Sequence, residues 1–223
     1  MLCFFTRKDV TGADMARLIY RVQWKLFRRR GRERELHMEV NELKSCVEKL
    51  NALKKDTQAS QKKGLPFILT SVVLWSLILV IRLIVQDLQT ANQLTFFCAC
   101  LLVPVAYLFS RLFKADSFKT KGNPVSVLGL AATMNQFLYL LIVMWAFSCK
   151  PDAMLMIFAI VFGAHLLPFS WVYDSKAYLV LSITEAVGAL VIGSLWGSIP
   201  VAAFIVCAEI VLSILLYREC REL

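Results

Sequence analysis

From Leu65 to the C-terminus the chain is a succession of six apolar stretches, each about 20 residues long. At 1.5 Å per residue, a helix of that length matches the ~30 Å hydrocarbon layer of a bilayer. That layer holds no water, so each crossing segment must satisfy its backbone hydrogen bonds internally, as a helix does. The expected fold is therefore an all-α membrane protein, a bundle of six transmembrane helices at about 65–86, 92–112, 125–147, 153–173, 177–195 and 198–217. A hydrophobic fraction of 58% agrees. Prolines fall where helix starts tolerate them: Pro66, Pro124 behind a capping Asn123, Pro151 ahead of the fourth span, and Pro200. Only Asp174, Ser175 and Lys176 join the fourth and fifth spans, which makes them an antiparallel hairpin.

Charge placement supplies the orientation. Residues 1–64 hold 16 Lys/Arg against 8 Asp/Glu, whereas residues 65–223 hold 9 against 8. With the N-terminus inside, the inner segments carry that basic block, Arg111, Lys114, Lys119, Lys121, Lys176, Arg218 and Arg221. The outer segments carry only Lys150. The positive-inside rule then sets both termini in the cytoplasm (N-in/C-in), with the bundle in the cell membrane. The outer loops are short and leave little room for an extracellular ligand-binding domain.

The residues ahead of the spans divide in two. In the basic segment 1–37, Met15, Leu18, Ile19, Val22 and Leu26 share one helical face, and Arg17, Arg21, Lys25 and Arg28 share another. That pattern suits an interfacial helix on anionic lipid. The break in composition also makes Met38, which opens Met-Glu-Val-Asn-Glu-Leu-Lys, an alternative start with 1–37 upstream of it. Residues 38–64 read as a polar cytoplasmic helix, solvated or skimming the membrane. Its stripe of Val40, Leu43, Val47 and Leu50 is about two heptads, too short to argue for a coiled coil. Basic residues beside a span touch anionic lipid, so lipid is the expected partner and nucleic acid is not.

Within the spans, polar side chains stand out, because ionisable groups in hydrocarbon usually face a bundle interior or a watery cavity. By the same rise per residue, Asn135 lies ~15 Å into the third span and Glu209 ~16 Å from the outer face. Glu185 and His165 lie ~12 Å from the inner face. Gln136 and Tyr139 accompany Asn135. Four helices thus place polar groups in one slab near the midplane. Small or polar neighbours share their faces: Ser182, Gly188 and Ala189 with Glu185, Ala202 and Ser213 with Glu209, Gly129 and Thr133 with Gln136. Pro168, three residues after His165, frees the carbonyl of Ala164 and kinks the fourth span. Arg82, near the outer end of the first span, is expected to snorkel outward, or else to pair with Asp87 or Asp152 at the rim.

Asn135, Gln136, Tyr139, His165, Glu185 and Glu209 are therefore the candidate site for a proton, an ion or a small-molecule substrate. Two nearby carboxylates in an apolar medium resist ionising together. Two readings stand: a small proton-linked transporter or permease with a midplane polar cavity, or a membrane-embedded sensor or interaction protein whose polar network fixes helix register. Enzymatic signatures are missing. Two His exclude His-Glu-x-x-His and three-His metal sites, and no Gly-x-Ser-x-Gly, P-loop or dinucleotide fingerprint occurs. No cofactor or metal is expected.

Two stretches carry a resemblance. One runs Asn123-Pro-Val-Ser-Val-Leu-Gly-Leu-Ala-Ala-Thr-Met-Asn-Gln-Phe-Leu-Tyr139 and onward to Phe147; the other is Val161-Phe-Gly-Ala-His-Leu-Leu-Pro-Phe-Ser-Trp-Val-Tyr-Asp-Ser-Lys-Ala-Tyr178. From about residue 58 onward the chain resembles a small family of bacterial integral membrane proteins known only as a domain of unknown function. The resemblance implies no activity, cofactor or partner. Members of that family have short polar leaders, so the long basic stretch 1–37 departs from the pattern and favours Met38 as the start.

Overall fold

The computed structural model describes residues 12–116 and 122–223, although within 12–37 it describes the backbone and the side chain of Tyr20 alone. The basic and apolar faces expected over 15–28 therefore lie outside the described side chains, as do Lys119 and Lys121. The chain divides into two compact units, Met1–Leu50 and Asn51–Leu223. Helix α1 covers Gly12–Gln61. In the first unit its Val40, Leu43, Val47 and Leu50 are all exposed.

The second unit holds the apolar helices. They are α2 (Leu65–Ile84), α3 (Leu88–Cys100), α4 (Leu102–Leu112), α5 (Pro124–Cys149), α6 (Met154–His165), α7 (Leu167–Val172), α8 (Lys176–Trp196) and α9 (Ser198–Arg221). Among the described residues there is no strand, and six helices are long and apolar enough to cross a membrane. They correspond one for one to the six expected spans. Asn123 caps α5 as its sequence suggests, its Oδ1 accepting from the Val125 amide at 2.9 Å.

Two spans are interrupted. The second breaks at Leu101, between α3 and α4, and the fourth at Leu166, between α6 and α7. Each break has a proline in the next turn, Pro104 and Pro168, whose missing N–H leaves the carbonyls of Cys100 and Ala164 without their helical donors. The chain tightens there: Leu101 N bonds Cys98 O at 3.0 Å, and Leu166 N bonds Gly163 O at 3.1 Å.

Helix α9 packs between α2 and α8, α6 lies along α8, α4 flanks α2, and α5 rests on α6 and α7. The core between them is apolar, with Trp75, Ile78, Leu155, Ala159, Ala189, Ile205 and Leu212 buried. Trp75 stacks on Phe158 with ring centroids 5.3 Å apart and meets Phe162 edge-on at 5.4 Å. The opposite side of α5 exposes Leu138, Leu141, Met144 and Trp145, the dress of a lipid-facing surface.

Residues 57–64 differ from the solvated helix expected there. Thr57, Gln58, Gln61 and Lys63 are buried against the bundle. Thr57 and Ser126 share a hydrogen bond of 2.9 Å, and Asn123 Nδ2 donates to Leu53 O at 2.8 Å. Lys62, Lys63 and Gly64 all take positive φ, which swings the chain from α1 into α2. Tyr178 donates to the carbonyl of Lys63 at 2.9 Å, and Lys63 Nζ donates to Glu219 Oε2 at 2.8 Å. Lys63 is thus an anchor between the turn into α2 and α9.

Arg82 also departs from expectation. It is 8% exposed and does not reach out to the rim. Its Nη2 donates to Asn92 Oδ1 at 2.6 Å and to Thr95 Oγ1 at 3.3 Å, while Asn92 Nδ2 donates to Pro151 O at 3.0 Å. The guanidinium therefore ties α2 to α3 and to the turn ahead of α6. Asp87 serves elsewhere: it caps α3, accepting from the Thr90 amide at 2.8 Å and the Thr90 hydroxyl at 2.6 Å.

Two predictions follow from these ends. The Thr90 bonds hold the Asp87 carboxyl below its ordinary pKa. The stability it adds is therefore present above the ordinary carboxylate range and lost as pH falls through the lowered value. The difference in melting temperature between wild type and Asp87→Ala should be full at neutral pH and close on acidification; a gap that widens in acid contradicts the cap. At Gly64, with φ at +74°, an added Cβ would lie 2.8 Å from Tyr178 Oη and 3.0 Å from Tyr173 Cε2. Gly64→Ala should lose about 1–3 kcal/mol in detergent unfolding.

Candidate functional site: a carboxyl pair behind an amphipathic cleft

Glu185 is near the middle of α8, and Glu209 is near the middle of α9. Both are fully buried. Their carboxyls are neighbours in the core between α8 and α9. Gly163 of α6 makes room for this arrangement: a Cβ there would sit 2.7 Å from Glu185 Cβ and 2.8 Å from Ala186 N. On the other side, Ser71 of α2 is bonded to Glu209 Oε2 through its hydroxyl. Counted as carboxylates, both Glu185 oxygens and Glu209 Oε1 have no donor.

Counting protons resolves much of that deficit. A carboxylate only accepts, so the Glu185–Glu209 contact needs at least one proton on the pair. Ser71 has a single hydroxyl hydrogen and two acceptors in reach, Glu209 Oε2 and, at 2.7 Å, the carbonyl of Ile68. With one proton, Glu185 can donate to Glu209 while Ser71 donates to Glu209 Oε2. With two, Glu209 itself donates to Ser71, and Ser71 turns its hydrogen to Ile68 O. The same heavy atoms thus support two connected networks that differ by one proton. With none, two bare carboxylates face each other in an apolar core, which is strongly unfavourable.

Ser71 also lines a narrow cleft bounded by α2, α4, α5 and the broken fourth span. Gln61, Thr133, Gln136, His165, Tyr173 and Tyr178 supply its polar wall. Gln61 Oε1 accepts from Tyr173 Oη at 2.9 Å. Gln136 is 5% exposed, and its Oε1 has no hydrogen-bond partner. His165 closes α6, with Nδ1 bonded to the carbonyl of Phe162. A carbonyl can only accept, so the neutral imidazole carries its hydrogen on Nδ1 and offers Nε2 as an acceptor. Phe162 and Phe169 flank the ring with centroids at 5.2 and 6.1 Å. A second cleft adjoins the first, sharing Ser71, Leu102, Thr133, Gln136 and Phe162, and passes Trp75 to reach Ile78. Both span breaks border this space, through Leu102 on one side and His165 and Leu166 on the other.

Four of the six expected site residues form two groups. Glu185 and Glu209 meet in the core between α8 and α9; Gln136 and His165 stand on the cleft wall; Ser71 separates the two groups. Asn135 and Tyr139 are half-buried and line neither cleft. Sequence reasoning passed over Ser71, Gln61, Tyr173, Tyr178 and the break at Leu101. Pro104 in mid-span was a legible signal for that break, whereas Ser71 carried none beyond being a hydroxyl in an apolar run.

The close approach of α6 to α8 can be checked directly. Gly163→Ala pushes a methyl into Glu185 and the backbone of Ala186, so it should lower stability by about 1–3 kcal/mol. Thermal unfolding that matches wild type contradicts this packing.

Residues 50–219 match a family described only as a family of unknown function (DUF7010). No curated protein and no solved structure matches the chain. The matched stretch is most of the chain and includes the carboxyl pair and both clefts, and the chain belongs to the DUF7010 family.

Proposed function

We propose that this protein is a small proton-linked transporter or permease, with Glu185 and Glu209 carrying the proton and the cleft beside Ser71 taking the substrate. The observation that carries this reading is the hydrogen-bond count: the pair, Ser71 and Ile68 O form connected networks with one proton and with two. Releasing that proton would pass it from Glu209 to Ser71 while Ser71 gives its own hydrogen to an acceptor in the cleft, and loading would run the same relay in reverse. Ser71 stands between the pair and the cleft, so an occupant of the cleft can bias the hydroxyl and through it the proton count. Two discontinuous spans beside one cleft add support, because broken helices in transporters expose backbone where substrates and ions bind. By the positive-inside rule the Lys63 end is cytoplasmic and both termini are inside, with the basic N-terminal segment against anionic lipid.

One observation favours a second reading, a sensor or interaction protein with a purely structural network. Both carboxyls are sealed at 0% exposure and neither lines the cleft. Proteoliposomes containing a pH-sensitive dye separate the two. Ions, amines, amino acids, drugs and amphiphiles are screened for proton movement under an imposed pH gradient, in wild type, Glu185→Gln and Glu209→Gln. Proton linkage predicts that each variant folds and melts like wild type yet loses coupled proton movement at least ~10-fold, since Gln keeps the shape and cannot titrate. A structural network predicts the reverse: lower melting temperatures and no coupled movement to lose.

A further inference from the structure

We infer that the two adjoining clefts together hold one uncharged amphiphile, with a hydrogen-donating head beside Gln136 and His165 and an apolar chain lying along α2 toward Ile78. The inference rests on the reading of the cleft as the substrate site, and not on the proton step.

Shape comes first. The clefts share five residues and follow α2 from Gly64 to Ile78. At 1.5 Å per residue that run is ~21 Å, long and narrow rather than round. Polarity is graded along it. The polar side chains gather from Gln61 to the shared Ser71, Thr133 and Gln136. Past them the second cleft is wholly apolar, walled by Leu74, Trp75, Ile78, Leu140 and Phe158 among others. A molecule polar throughout would lose its hydration in that half without replacement, and a pure hydrocarbon would leave the other half unpaired.

Charge comes next. No Asp, Glu, Lys or Arg lines either cleft. An ionic head would be stranded there, so ionised fatty acids and phospholipid heads do not fit. Donor and acceptor roles then narrow the class. Gln136 Oε1 is a buried acceptor with no donor, and His165, with Nδ1 already committed, offers a second acceptor at Nε2. The deficit at Gln136 Oε1 calls for a donor, a hydroxyl or an amide N–H. A long-chain alcohol or monoacylglycerol has this chemistry. The rim supplies a route, since Phe137 of α5 borders the apolar half and is 43% exposed on the side where a bilayer would lie.

The test uses the full chain in phosphatidylcholine nanodiscs and a monoacylglycerol with a photoactivatable diazirine at its chain end. Crosslinks are mapped by mass spectrometry. The label should fall on the peptides holding Ile78, Leu140 and Phe158. Unlabelled monoacylglycerol should displace it, whereas the fatty acid of equal chain length and the monoacylglycerol dimethyl ether should not. Gln136→Leu should weaken displacement about five-fold, the effect of one lost neutral hydrogen bond. Should that variant fail to fold, Leu140→Trp, which shortens the apolar end and leaves every polar group in place, should shift preference toward shorter chains. Label spread over all lipid-facing helices, or equal displacement by the ether or the fatty acid, overturns the proposal. The two readings fail separately: absent cleft labelling with coupled proton movement intact removes the amphiphile alone. Labelling intact while Glu185→Gln leaves proton movement unchanged supports the amphiphile and removes the proton step.

Discussion

Hydrocarbon gives a polar group nothing to bond to, and this constraint orders the bundle from one end to the other. Arg82 is paired by Asn92 and Thr95, Asn92 by the carbonyl of Pro151, and Glu209 by Ser71. Each of these bonds joins one element to another, so each also fixes how two of them face one another. Apolar packing around Trp75 and Ile205 supplies contact area, but dispersion forces alone do not choose among rotations of a smooth apolar helix. The polar pairs choose. The same logic runs at the Lys63 end, where Tyr178, Ser175 and Glu219 converge on the turn into α2.

Against that background the incomplete groups carry information. Glu185 and Glu209 cannot be satisfied as two carboxylates, and Gln136 Oε1 has no donor. The first deficit is answered by protons, in two alternative numbers. The second is what the proposed hydrogen-donating ligand would answer. Ser71 lies between them, holding Glu209 on one side and lining the cleft on the other. A hydroxyl suits that place, because it exchanges donor and acceptor roles by rotation alone. The breaks at Leu101 and Leu166 frame the same space, through Leu102 on one side and His165 and Leu166 on the other.

Much of this fold was legible in the residues. Hydropathy located all six spans, Asn123-Pro124 marked the start of α5, and Pro168 marked the break beside His165. The carboxyl pair was legible too, through the small residues sharing a face with each Glu. The face of α5 was not. Asn135 and Gln136 are 100° apart on a helix, so only one of them turns inward. Gln136 does, and the fourth residue beyond it, Leu140, lines the cleft where Tyr139 was expected. Arg82 was misjudged because its partners come from the next span, and pairing across spans cannot be read from hydropathy. Residues 57–64 were misjudged for the same reason: Thr57 and Gln61 look solvated until Ser126 and Tyr173 are brought to them.

The central claim is that the carboxyl pair exists in two hydrogen-bonded states one proton apart. Infrared spectroscopy of the protein in lipid tests it most directly, by following the protonated-carboxyl stretch across the pH range in which the fold survives, in wild type and in Glu185→Gln. The account predicts that the wild-type band changes by one carboxyl within that range and that the variant loses the change. A wild-type band that stays constant throughout would contradict it and leave the pair as a fixed structural contact.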